Sequence, residues 1–108
     1  MVRWKKSADA LTVYLSGEID HCAAEKLKSE MESLICQSKD KPFVLDFSDV
    51  TFMDSSGVGM LIGRYKTKLT CGGGMYAAGM HAPVERLYRM AGLHRIIPII
   101  EEERKAEA

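Results

Sequence analysis

Two adjacent serines are the strongest candidates for chemistry in this chain. Asp54-Ser55-Ser56-Gly57 stands directly before apolar residues at Val58, Leu61, Ile62, Tyr65 and Leu69, the spacing of one face of an α-helix. Side-chain oxygens at such a point can accept from the first-turn N–H groups, which have no partner inside the helix. Either serine could be a plain N-cap. Either could also be a phosphoacceptor, because a phosphate there would lie near the positive end of the helix dipole with free amides close by. Spacing alone does not choose between Ser55 and Ser56.

Other chemistries fit less well. Gly57, Gly59 and Gly63 make a variant of the dinucleotide-binding glycine pattern, but that pattern needs an acidic residue at the end of the next strand to hold a ribose. Ala77-Ala78-Gly79-Met80 supplies none, and close packing of a helix on a sheet accounts better for Gly59 and Gly63. A phosphoaspartate receiver would put Asp46 in a strand, yet Glu18 and Asp20 are a poor acidic pair and the lysine near the last strand is Lys105. Hydrolysis by an activated serine is not signalled either. The serines are outside any G-x-S-x-G, and nothing marks His21, His81 or His94 as a base. Asp20, Asp46, Asp49 and Asp54 could gather a hard cation, although solvated loop carboxylates explain them more simply. No metal and no cofactor is expected.

Composition narrows the partner. The 108 residues carry 15 basic and 15 acidic side chains, a formal net charge of zero. That balance argues against direct binding of nucleic acid or an acidic membrane surface, and for a protein partner met at short range. The longest apolar runs are four to six residues, too short for a membrane span or a signal-peptide core. Cys22, Cys36 and Cys71 are odd in number and lack metal-ligand spacing, as expected of reduced thiols in a cytoplasmic protein. Cys22, at the start of a helix, is expected to be a small buried residue.

The elements that must position the serines follow from periodicity. Val2 to Lys6 and Leu11 to Gly17 form an antiparallel hairpin, with Leu11, Val13 and Leu15 on the buried face. A helix from Cys22 to Ser38 follows, capped by Asp20 and striped by Ala24, Leu27, Met31, Leu34 and Ile35. Phe43 to Phe47 reads as a strand covered on both faces, followed by a short tight loop and the helix behind the serines. Cys71-Gly72-Gly73-Gly74 ends that helix. Met75 to Ala78 is a short strand, and Pro83 opens a third helix with Val84, Leu87, Tyr88 and Ala91 inside and Gly92 as its stop. Ile96 to Ile100 is expected as a last strand, at an edge because of Pro98. Strands alternating with helices predict an α/β fold with a mainly parallel sheet and one added antiparallel N-terminal strand.

A longer string sharpens this reading. Phe52-Met53-Asp54-Ser55-Ser56-Gly57-Val58-Gly59-Met60-Leu61-Ile62-Gly63-Arg64-Tyr65-Lys66 resembles the signature of the STAS domain, and most of all that of bacterial anti-sigma factor antagonists of the sporulation type. Gly17-Glu18-Ile19-Asp20 and Pro83-Val84-Glu85-Arg86-Leu87 with Ala91-Gly92-Leu93 occur in the order the family leads one to expect. The resemblance implies one STAS domain over residues 1–100 and a charged tail over 101–108. STAS domains commonly close with another amphipathic helix, and the tail departs from that pattern.

The same resemblance implies a binding module and no enzyme. The second serine, Ser56, would be phosphorylated by a partner that is both anti-sigma factor and serine kinase, and a serine phosphatase would restore it. The unphosphorylated form would hold the anti-sigma factor and free the sigma factor. Asp20, Asp54, Ser55, Gly57 and Val58 would be the first partner contacts. The alternatives are a STAS interaction module of another signalling assembly and, in a different class, a small nucleotide-binding or hydrolytic domain.

Overall fold

The centre of the sheet is built where the sequence is most uniformly apolar. In a computed structural model, which describes residues 2–101, Phe43, Val44, Leu45 and Phe47 are buried in the first half of a strand running from Phe43 to Met53. In chain order the elements are β1 (Arg3–Lys6), β2 (Leu11–Ile19), α1 (His21–Ser38), β3 (Phe43–Met53), α2 (Ser55–Cys71), β4 (Met75–Ala78) and α3 (Ala82–Met90). A 3-10 turn, Leu93–Arg95, follows α3. The sheet order is β1-β2-β3-β4, with β1 antiparallel to β2 and the β2–β3 and β3–β4 pairs parallel. This is the expected α/β fold with its antiparallel N-terminal strand.

Two strands are longer than periodicity suggests. β2 reaches Ile19 and β3 reaches Met53, so the tight loop expected after Phe47 is strand instead. Each extension supplies the other's ladder, from Ser16↔Asp49 to Ile19↔Met53, with register shifts at Tyr14/Ser16 and Gly17/Glu18. Gly17 takes φ 78, a left-handed conformation that a β-branched residue would resist. The irregular register breaks the alternation of buried and exposed residues, which is why Ser48, Asp49, Thr51 and Phe52 look like loop.

At the other end of the chain a strand is lost. Ile96 to Ile100 makes only one parallel bridge, Ala77↔Ile99, supported by Ala77 N–H donating to Pro98 O at 2.9 Å and Ile100 N–H donating to Ala77 O at 2.7 Å. Pro98 has no N–H with which to extend a ladder. The segment does lie at an edge, against Ala77 of β4, but it is not the expected strand. Ala91, expected on the inner face of α3, is exposed at the helix end, while Val84 and Tyr88 are buried. Of the charged tail only Glu101 lies within the described residues, so the rest of it, and with it the expected departure from the family's closing helix, lies outside them.

The helix behind the serines faces the core differently from its apolar pattern. Leu61 is fully buried and Val58, Ile62 and Tyr65 pack against the core, but Leu69 is 62% exposed. The inward position one residue earlier belongs to Lys68, which is 1% exposed. Its Nζ donates to Ser38 Oγ at 2.7 Å, Lys39 O at 2.9 Å and Lys41 O at 2.7 Å, so all three ammonium protons are used. Burial holds this ammonium below its ordinary pKa of 10.5, against weaker pulls upward from Cys71 and Asp40. Lys68 thereby ties the end of α2 to the turn at Lys39, which adopts a positive φ of 51. Cys22, expected inside, is exposed in the first turn of α1. Gly59 and Gly63, expected at a close helix–sheet contact, have no neighbour within 4 Å of where a Cβ would stand.

These burials separate two leucines of one helix. Leu61→Ala is expected to cost about 2–5 kcal/mol and Leu69→Ala less than about 0.5 kcal/mol in urea melts. Equal losses would contradict the facing of α2 described above.

Tyr88 gives the fold an alkaline limit. Its buried hydroxyl donates to Ile97 O at 2.6 Å and its ring meets Phe47 edge-on at 6.0 Å between centroids. Burial raises its pKa well above the ordinary 10.0. The unfolded chain therefore gives up this proton first, so the stabilisation is complete below pH 10 and declines as pH rises beyond it. Tyr88→Phe should cost about 1–3 kcal/mol near neutrality by leaving Ile97 O unpaired. The gap between the two proteins should narrow above about pH 10; a gap constant with pH in denaturant titrations would refute the linkage.

Candidate functional site

β2 and β3 end in register, and each is followed at once by an aspartate that caps the next helix. Ile19 pairs with Met53, and Asp54 N–H donates back to Ile19 O at 3.4 Å, which sets Asp20 and Asp54 side by side at the carboxyl edge of the sheet. Asp20 Oδ1 accepts from Ala23 N–H at 3.0 Å, the cap expected for α1. Asp54 Oδ1 accepts from Ser56 N–H at 2.9 Å, and Asp54 O accepts from Gly57 N–H at 3.0 Å and Val58 N–H at 3.2 Å. Asp54, with φ −120 and ψ −169, is the N-cap of α2; Ser55 and Ser56 are its first two helical residues.

This arrangement settles the capping question and changes the surroundings of the serines. Neither hydroxyl makes a hydrogen bond among the described residues, so both are left for other chemistry. Ser55 is exposed and Ser56 half-buried. The amides of Ser56 and Gly57 are already engaged by Asp54, so the free amides expected close to a phosphate are not free at those two residues.

Gly57 is buried where the strand ends meet the helix. A Cβ on it would stand 2.5 Å from Met53 Cγ and 3.1 Å from Ile19 Cγ2, so a side chain would push α2 off the two strand ends. Val58 is half-buried against the core. Of the residues named from sequence, Asp20, Asp54, Ser55, Ser56, Gly57 and Val58 are brought together, with Gly57 inside and Ser55 the most open.

The other candidates are dispersed. Asp46 Oδ1 turns to Ser48 N–H at 2.8 Å, and Asp49 lies 3.8 Å from Arg3 across the exposed β1 side. No group of three or more His, Cys, Asp or Glu among the described residues is arranged to hold a metal ion. His81 Nε2 lies 2.8 Å from Ser48 O, and none of His21, His81 or His94 bonds a serine hydroxyl among the described residues. The lysine considered for a receiver, Lys105, is outside those residues. No described helix is long and apolar enough to cross a membrane. One residue of this edge escapes the sequence reading: Phe52, which the irregular register makes look like loop, is a strand residue 46% exposed.

The comparisons with known proteins agree with this architecture. The model of the STAS domain matches residues 2–106. The anti-sigma F factor antagonist of Paenibacillus polymyxa is 40% identical over 93 residues, covering 86% of this chain and 80% of that protein. The anti-sigma-B factor antagonist of Bacillus subtilis is 32% identical over 95 residues, covering 88% and 85%. The Bacillus cell fate determinant SpoIIAA, solved in its phosphorylated form, shares the fold at a TM-score of 0.71 and 23% identity, covering 99% of this chain and 97% of that one. With its family signature wrapped around the paired helix caps, this chain belongs to the STAS domain family.

Proposed function

We propose that this protein is an anti-sigma factor antagonist switched by phosphorylation of Ser56. The observation that carries the reading is the pair of unbonded serine hydroxyls behind the Asp54 cap, in a chain 40% identical to an anti-sigma F factor antagonist. The unphosphorylated form docks on an anti-sigma factor that is also a serine kinase, and the sigma factor is released. The kinase transfers phosphate from its own ATP to Ser56, docking ends, and a serine phosphatase restores the hydroxyl. Asp20, Asp54 and Ser55 offer side chains to the partner, while Gly57 and Val58 keep the helix start low against the strand ends. The 32% identity to an anti-sigma-B factor antagonist supports a second reading, the same module serving another signalling assembly.

Exposure favours Ser55 and the family signature favours Ser56, so site mapping is a sharp test. Incubation with ATP and the anti-sigma F factor of Paenibacillus polymyxa is expected to place one phosphate on Ser56, by peptide mapping. Ser56→Ala should bind and never be released. Phosphate on Ser55 in the wild-type chain, or undiminished incorporation into Ser56→Ala, overturns the assignment.

The switch acts locally. A phosphate adds about −1.5 to −2 charges near the Asp54 carboxylate. The helix end favours it by about 0.3–1 kcal/mol, repulsion from Asp54 opposes it, and solvent screens both. The fold therefore has no reason to change. A partner surface shaped for a neutral hydroxyl meets a bulky anion instead, which can cost several kcal/mol, roughly a thousandfold in affinity. Ser56→Asp should weaken the complex while leaving backbone chemical shifts beyond residues 54–60 nearly unchanged. Shift changes across the whole sheet would replace this picture with a conformational switch.

A further inference from the structure

The carboxyl edge of the sheet carries an aromatic ring that the core does not use. Phe52 is 46% exposed although Val50, two residues before it, and Met53, directly after it, are buried. Its backbone is well held: it pairs with Glu18 of β2, and Met53 beside it is packed under Gly57. β4 pairs with β3 only over Phe43 to Asp46, so residues 47–53 extend past β4 with β2 as their strand neighbour. The residues from Phe52 to Ser56 all belong to strand, cap or helix. A pocket that grips this ring therefore also fixes where the Ser56 hydroxyl stands.

The charges around the ring indicate what kind of pocket fits. Glu18 lies directly across from Phe52, and Asp20 and Asp54 follow the two strand ends. None of these three carboxylates forms an ion pair among the described residues. An exposed aromatic among unpaired carboxylates complements a site that is apolar inside and basic at its rim.

We propose that Phe52 anchors the docking surface by inserting into an apolar pocket, rimmed by Lys or Arg opposite Glu18, on the protein that phosphorylates Ser56. The proposal rests on the docking function above and adds the contact that supplies affinity. The ring is the same in both phosphorylation states, so it holds the partner while Ser56 alone decides between the states.

The test uses the purified anti-sigma F factor of Paenibacillus polymyxa with ATP. Phe52→Ser is expected to raise KM for Ser56 phosphorylation and weaken Kd by about 10- to 100-fold, with kcat within about twofold. Phe52→Leu should recover most of the loss. Leu69→Ser, roughly 20 Å away along α2, should change nothing. Glu18→Lys should weaken binding about tenfold or more and flatten its salt dependence, which keeps the test open if Phe52→Ser fails to fold by thermal melting. Unchanged KM and Kd in folded Phe52→Ser, or a fall in kcat at constant KM, overturns the anchor while the docking function stands. A wild-type chain neither bound nor phosphorylated overturns the docking function itself, and the anchor with it.

Discussion

The parallel pairing of β2 with β3 right to their ends is the constraint on which the site depends. Were the ladder to stop at Tyr14↔Asp46, the two chains would diverge and the helices behind them would start at unrelated heights. Carried on to Ile19↔Met53, it delivers two aspartates to adjacent positions, each with its carboxylate on the first turn of its own helix. Gly57 completes the junction, because only a residue without a side chain lets α2 start in contact with Met53 and Ile19. The serines occupy the first turn of a helix held by backbone, cap and packing together, with their hydroxyls outside that scheme.

The opposite end of α2 is held by polar contacts. Lys68 spends its three protons on Ser38, Lys39 and Lys41, and Arg64 Nε lies 2.7 Å from Glu32 Oε2, which also accepts from Thr67 Oγ1 at 2.8 Å. Removing Ser38 would leave the buried Lys68 ammonium short of a partner without compensation, so this part of the set resists piecemeal change. α1 and α2 are thereby locked to each other, and the two capped N-termini are kept in one relative position.

Much of this was legible in the sequence because apolar periodicity and cap chemistry are local. The Asp20 cap, the stripe Ala24, Met31, Leu34 and Ile35, and the buried run from Phe43 all follow from residues close to one another. What escaped was set by distant partners. The extensions of β2 and β3 exist because each completes the other, and their shifted register hides the alternation that marks a strand. Lys68 reads as surface until Ser38 and two carbonyls of another segment are placed around it, and Leu69 reads as core for the same reason. The string Asp-Ser-Ser-Gly marked the start of α2, but three capping candidates in a row could not be ordered without backbone geometry. Gly59 and Gly63 were credited with a packing role that belongs to Gly57.

The identity of the cap matters for how charge acts here. Had a serine capped α2, phosphorylating it would bring phosphate oxygens onto the first-turn amides themselves, coupling modification to the stability of the helix. Because Asp54 holds that post, the helix start is already stabilised by a negative charge and its nearest amides are already bonded. An added anion at Ser56 finds little left to gain from the helix and little to break in it. Its free energy is then expressed almost wholly in whatever surface is pressed against it, so a domain with one stable fold can still report two states to a partner.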